Sequence, residues 1–483
     1  MLFTSLTFFL FLAATLVLFA LAPQRLRWLL LLAASLVFYA SFGAANLGFL
    51  FAVVAVAWAA GRLIASGPPA TRRAALAAGL LLILGALAAL KFYDFVAGEI
   101  EAALAGQPFL PRIGIAAPVG FSFYAFMAAA YLIDVHRGAC AGEKDAGRLA
   151  LYVAWFPKIL AGPIERAGPF LAQVPARLRL DPVLAVAGLQ LIVWGLFKKV
   201  VVADNLAPVV DGAFRIAPYA APMELLIAVY FFAFQIYCDF SGYSDIAVGL
   251  SLLFGIRLME NFRRPYLAVT TAEFWSSRWH VSLGHWFRDY LYIPLGGGKA
   301  GLPRRYLNVM AVFVVSGLWH AGLGYGVGWT FLVWGALNGA YQWAGLATRG
   351  LWRRLGAMLP RVAASAWLRA LRILLTFHLI LVSWIFFRAD TVEQALVVIR
   401  RIWAALPGLP ALVPLYPFTA DHALGAALIA LLIVVEALDE RRPIRDRLAA
   451  APVVLRWSAW YAGIFALVLL GRWQAGGFIY MQF

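Results

Sequence analysis

Two histidines 40 residues apart, His280 and His320, sit in stretches that are otherwise apolar and aromatic. Burial disfavours the charged imidazolium, so a ring shut away from water stays neutral and can take a proton from a hydroxyl. His280 lies in the run from Glu273 to Tyr290 (EFWSSRWHVSLGHWFRDY). Read as a helix at about 100° per residue, this run puts Trp275, Trp279 and Trp286 within about 40° of one another as a packing or anchoring stripe. His280 then turns away from them, toward Ser276, Leu283 and Phe287. His320 closes Ser316-Gly317-Leu318-Trp319-His320, just ahead of Gly322, Gly324 and Gly326. Glycines there permit close helix approach and irregular backbone. Residue types alone leave His320 open between a proton-transfer group and a hydrogen-bonded packing residue.

A third polar cluster, Tyr237-Cys238-Asp239-Phe240-Ser241-Gly242-Tyr243-Ser244-Asp245, interrupts another apolar run. Asp239 and Asp245 are expected either to pair with buried arginines and hold helices in register or to line a substrate path. Metal chemistry is not expected. His280 and His285 are five residues apart and point about 140° from each other on a helix, whereas two ligands on one face need a spacing of three or four. Neither a phosphate-cradling glycine loop with its lysine nor a Gly-x-Ser-x-Gly elbow occurs.

The elements that must hold these residues are set by composition. Of 483 residues, 64% are hydrophobic and 13% charged, against about 45–50% and about 25% in soluble domains. Apolar runs long enough to cross a bilayer as helices, about 20 residues each, recur along the chain. The expected spans are about 3–22, 28–42, 46–66, 75–93, 115–135, 183–203, 222–254 (long enough for two elements), 306–320, 325–345, 370–388, 423–438 and 455–471. That makes eleven or twelve in an all-α, polytopic chain with one domain over 1–483. Leu151 to Pro163 and Phe274 to Pro294 are apolar but broken by prolines or charges, which suits re-entrant or interfacial elements buried in protein. The first run is expected to be a retained helix, since no basic residue precedes it and no cleavage site follows.

The net charge of +17 is scattered between apolar segments with no continuous basic face, which argues against nucleic acid. Arg25 and Arg27, Arg72 and Arg73, and Arg137, Lys144 and Arg148 follow alternate runs. The positive-inside rule therefore puts the N-terminus outside. Two cysteines, Cys140 and Cys238, do not make a disulfide framework.

Phe274 to Gly297 (FWSSRWHVSLGHWFRDYLYIPLGG), followed by Ser316-Gly317-Leu318-Trp319-His320, resembles the membrane-bound O-acyltransferase family in its bacterial alginate O-acetyltransferase branch. Phe156-Pro157-Lys158 through Gly162-Pro163-Ile164, Tyr237 to Ala247, Glu260-Asn261-Phe262 with Pro265-Tyr266, and the aromatic end Phe478 to Phe483 agree with it. The resemblance covers most of the chain and implies a ring of helices around a central tunnel, with a family core over about 115–390. It implies His320 as catalytic base and His280 as its supporting polar group. Asp239, Ser241, Asp245, Arg278, Ser282, Arg288, Asp289 and Trp319 are expected to support the site or line the substrate path. A cytoplasmic thioester donor, usually presumed to be acetyl-CoA, would supply acetyl for O-acetylation of a secreted polysaccharide across the bacterial inner membrane. A periplasmic acetyltransferase partner often takes part; no bound cofactor and no nucleic acid are implied. Arg263, Arg264, Lys299, Arg304 and Arg305 could attract donor phosphates, but the link is weak, since the positive-inside bias explains them without a ligand. Alginate is the first-choice acceptor, with cellulose or peptidoglycan as alternatives. A transporter or a non-catalytic export subunit is the competing class, and the halves of the chain show no matching broken helices of the kind many transporters have.

Overall fold

The computed structural model describes residues 1–104, 110–112, 114–115, 117–174, 178–299, 301–321, 328–473 and 477–479. Among them every regular element is helical. Eight helices are long and apolar enough to cross a membrane: Ala45–Ser66, Pro69–Ala103, Pro182–Arg215, Pro222–Leu253, Ala366–Arg388, Val392–Leu415, Ala420–Arg441 and Val453–Leu470. The other expected runs are also helical but fall short in length or apolarity. Leu6–Leu21, Arg27–Ala40 and Phe121–Arg137 have 16, 14 and 17 residues. Leu302–His320 and Trp329–Met358 are long but carry asparagine, glutamine and arginine among their apolar positions.

Several boundaries differ from expectation for identifiable reasons. Pro69–Ala103 runs 35 residues, about 52 Å at 1.5 Å per residue, because alanine-rich flanks extend the helix past the apolar run. Pro222–Leu253 is one continuous helix. Val392–Leu415 was not expected as a span, since Arg400, Arg401 and three prolines interrupt its apolar pattern. Ends are capped by side chains: Ser5, Asp145, Thr391 and Thr419 each accept a backbone N–H at a helix start, which satisfies donors that lipid would leave unpaired.

The chain forms two compact units from discontinuous pieces. One comprises Met1–Leu196, Gly242–Glu260 and Gly476–Phe483; the other comprises Phe197–Ser241 and Asn261–Ala475. In the first, the interrupted segment expected at 151–163 is the end of the helix Ala146–Ala154 followed by buried irregular chain. Its polar atoms are satisfied inside protein: Trp155 donates Nε1–H to Ser251 Oγ at 2.9 Å, and the Phe156 N–H reaches Ser35 Oγ at 3.2 Å. Lys158 is fully buried, with Nζ 4.4 Å from the centre of the Tyr152 ring.

In the second unit a hairpin of Leu302–His320 and Trp329–Met358 is pressed together at glycines. A Cβ on Gly317 would collide with the Phe331 carbonyl, and one on Gly335 with the Phe313 carbonyl. Lipid tails are as apolar as leucine, so close backbone approach of this kind replaces hydrophobic burial as the source of helix association. This contact sets the place of His320 at the end of its helix. Gly322, Gly324, Gly326 and the terminal Tyr480 to Phe483 lie outside the described residues.

Candidate active site

The segment carrying His280 is not one helix. A wide turn spans Phe274–Arg278, Trp279 is extended, and a short helix resumes at Val281–Phe287. Between them His280 has φ of 42°, in the left-handed region. That conformation costs a non-glycine residue about 1–3 kcal/mol and persists only where its surroundings enforce it. Asn261 enforces it: its backbone carbonyl accepts the Val281 N–H at 2.9 Å, and its Oδ1 accepts both the Ser282 N–H at 3.2 Å and the Ser282 hydroxyl at 2.9 Å. The Arg263 N–H in turn reaches the Arg278 carbonyl at 2.8 Å. Two stretches, 261–264 and 278–282, are thereby clamped side by side.

Arg278 braces the clamp. It pairs with Glu273 at 2.6 Å and Glu440 at 2.8 Å, and donates to the carbonyls of Arg263 and Arg264 at 3.2 and 3.3 Å. Arg264, the other non-glycine residue with positive φ among those described, pairs with Glu440 at 2.7 Å and with Asp439. One glutamate on the helix Ala420–Arg441 thus grips both arginines beneath His280.

The helical premise for the tryptophan stripe is overturned by this break in the segment. Trp275 and Trp279 enter one aromatic cluster with Trp384, at 6.1 and 4.9 Å between ring centres, and Trp275 donates Nε1–H to Asn338 Oδ1 at 3.0 Å. Trp286 instead packs on Phe287 and Tyr290. His280 faces Phe240 at 4.7 Å, Phe262 at 6.3 Å and Trp319 at 6.4 Å, not the neighbours a helix would have given it.

His320 is buried at the C-terminal turn of its helix, among Trp319, Trp334 and Phe387 at 4.7, 5.1 and 5.5 Å. Its Nδ1 lies 2.7 Å from the Ser316 carbonyl oxygen. A carbonyl only accepts, so Nδ1 carries the hydrogen, and in the neutral ring Nε2 holds the lone pair. The Trp319 indole touches both histidines. Burial, and then the neighbouring His320 ring, hold the His280 imidazole well below its ordinary value. The arrangement is a pair of buried imidazoles in an aromatic enclosure, one with its Nδ1 committed to the main chain.

The remaining expected residues divide. Ser282 and Trp319 belong to this enclosure, and Arg278 supports it from behind. Asp239 is buried and pairs with Lys199 at 2.7 Å, a lysine where arginines were expected; Lys199 also binds Asp204 at 2.8 Å. Ser241 accepts from Lys198 Nζ at 3.0 Å. Asp245 is half-buried and belongs to the first unit. Arg288 and Asp289 pair with each other at 2.7 Å near the surface. Among the described residues no three His, Cys, Asp or Glu side chains converge as metal ligands. Lys198 and Lys199 were missed although the rule that flagged Asp239, an ionisable group inside an apolar run, applies to them equally. Asp439 and Glu440 were missed because charges at a helix end look ordinary.

The sequence model of the membrane-bound O-acyltransferase family matches residues 145–385, which include both histidines and the clamp. The probable alginate O-acetylase AlgI of Azotobacter vinelandii is 37% identical over 403 residues, covering 82% of this chain and 76% of that protein. The protein of the same name in Pseudomonas aeruginosa is 38% identical, over 80% and 72%. The peptidoglycan O-acetyltransferase of Helicobacter pylori is 32% identical, over 77% and 72%.

Proposed function

The chain belongs to the membrane-bound O-acyltransferase family, and from that premise we propose that this multi-pass membrane O-acetyltransferase uses His320 as the base that activates a polysaccharide hydroxyl. The donor in this reading is a cytoplasmic thioester, acetyl-CoA, and the membrane is the bacterial inner membrane. Alginate is the first-choice acceptor, after the names of the relatives above, with peptidoglycan or cellulose as the alternatives and a periplasmic acetyltransferase as partner where the acetyl group is relayed.

The observation that carries the reading is the hydrogen bond from His320 Nδ1 to Ser316. It sets the tautomer in which Nε2 carries the lone pair that can take a proton. As the acceptor oxygen attacks the thioester carbonyl, Nε2 removes its proton and the new C–O bond forms. His280 donates a hydrogen bond to the oxyanion that develops. Collapse breaks the C–S bond and returns the proton from His320 to the departing thiolate, so the products are an acetyl ester and a thiol. The aromatic walls exclude water, which would otherwise hydrolyse the thioester.

The test uses purified protein in lipid nanodiscs with acetyl-labelled coenzyme A and an oligosaccharide acceptor. His320→Ala lowers label transfer and donor hydrolysis by about 10²–10⁴-fold while the protein stays folded. Should acetylation persist in that variant while polysaccharide export fails, the chain is an export or transport component and the enzymatic reading falls. Supplying alginate and peptidoglycan fragments side by side decides the acceptor.

A further inference from the structure

Between Asp289 and Asp390 the chain has ten basic residues and no carboxylate. The fold gathers most of that charge. The hairpin register is fixed by the glycine contacts described above and by Trp343, which donates Nε1–H to the Tyr306 carbonyl at 2.8 Å. Counting along both helices from that pair brings Lys299, Arg304 and Arg305 to the same end of the hairpin as Arg349, Arg353 and Arg354. Arg361, Arg369 and Arg372 follow on the next two elements.

The helix end is also two-faced. The buried residues of Trp329–Met358 stop at Gly339, so its last turns project beyond the packed part of the hairpin. At about 100° per residue, Arg349, Arg353 and Arg354 occupy an arc of about 140°, and Leu351, Trp352, Leu355 and Met358 an opposite arc of about 120°. All seven are exposed, Met358 at 75%. Trp367, 78% exposed, stands at the start of Ala366–Arg388, a helix that can cross the membrane. Arg372 lies 5.9 Å from the centre of the Trp352 ring.

We infer that residues 349–372 are an interfacial arm that docks on an anionic phospholipid leaflet. Arginines spread over three elements, all but the half-buried Arg372 exposed, match a sheet of headgroup phosphates and not a single small anion. The opposite arc of leucine, methionine and tryptophan fits the boundary between headgroups and acyl chains. Continuity with the start of a crossing helix puts the arm at that depth, and the positive-inside rule assigns it to the cytoplasmic leaflet, the one enriched in anionic lipid. The arm joins the hairpin that ends in His320, but its lipid contact stands independently of acetyl transfer.

Hydrogen exchange of the full chain in nanodiscs tests this. Amides of 349–365 exchange several-fold more slowly in discs containing about one third phosphatidylglycerol than in pure phosphatidylcholine, while those of Pro69–Ala103 do not change. The difference disappears in the triple variant Arg349→Gln, Arg353→Gln, Arg354→Gln, and in the unaltered protein at about 0.5 M salt, where the Debye length is near 4 Å. Equal exchange in the two lipids overturns the inference. So does protection by free coenzyme A in phosphatidylcholine discs that matches that of phosphatidylglycerol, since the arm would then be a site for a soluble phosphate.

Discussion

The second unit buries two polar centres of opposite design. Lys199 with Asp204 and Asp239 is ionic, and each charge faces a partner at 2.7–2.8 Å. His280 and His320 form a pair of buried imidazoles among aromatic rings, one of them with Nδ1 committed to the main chain. The difference separates two uses of buried polarity. Opposite charges in mutual contact hold each other and the segments that carry them in place, which suits a fastener. A neutral ring with one nitrogen committed to the backbone can gain and lose a proton while its neighbours stay still, which suits a reaction. Both look alike in the sequence as costly residues in apolar runs.

The sharpest break between the two centres is expected at the level of chemistry. His320→Ala lowers acetyl transfer by about 10²–10⁴-fold with an unchanged melting profile in detergent, whereas Asp239→Ala removes one of the two buried carboxylates that Lys199 binds, leaving the Asp204 pair, and costs about 1.5–3 kcal/mol of stability. The measurements are labelled-acetyl transfer and thermal unfolding on the same preparations. If His320→Ala melts early and Asp239→Ala loses only activity, the two roles are reversed.

Asn261→Ala falls between them. It removes the acceptor that holds Ser282, and with it the enforced turn at His280, so kcat drops by about tenfold, equivalent to about 1.4 kcal/mol, while KM for the donor stays put. Asn261→Asp, which keeps Oδ1, restores most of the rate; a purely structural role would lower folded yield without this recovery.

A smaller effect is expected with pH. The ordinary value for a histidine is 6.5, and His280 is held well below it in the folded protein. Stability linked to this ring is therefore fully present above about pH 6.5 and is lost as pH falls from there through the lowered folded value, because the unfolded chain takes up the proton first. Unfolding followed between pH 7 and 5 shows this slope in the unaltered protein and a shallower one in His280→Phe. The least effect is expected at the surface: Arg288→Ala, removing an ion pair whose arginine side chain is 54% exposed, changes stability by less than about 1 kcal/mol and leaves transfer intact.

Helical class, most of the spans and the two histidine blocks were legible in the sequence, since length and apolarity decide what crosses a bilayer and a polar group there is conspicuous. The conformation around His280 was not. Its left-handed turn depends on Asn261, 19 residues earlier, and on Glu440, 160 residues later, and no local periodicity encodes either. That Lys199 faces Asp239 was not legible for a related reason: the rule that flags a buried carboxylate does not say which cation will face it. Val392–Leu415 escaped notice because arginines and prolines dilute its apolar run.

The bond from His320 to Ser316 has a consequence for how this centre can vary. Where a carboxylate side chain orients a catalytic imidazole, one codon change can abolish the arrangement. Here the orienting oxygen belongs to the main chain, which every amino acid supplies, so residue 316 can be exchanged without removing it. The proton inventory of the ring is inherited from the helix and is shielded from most point mutations; only a change that unwinds the final turn, such as a proline, would release it.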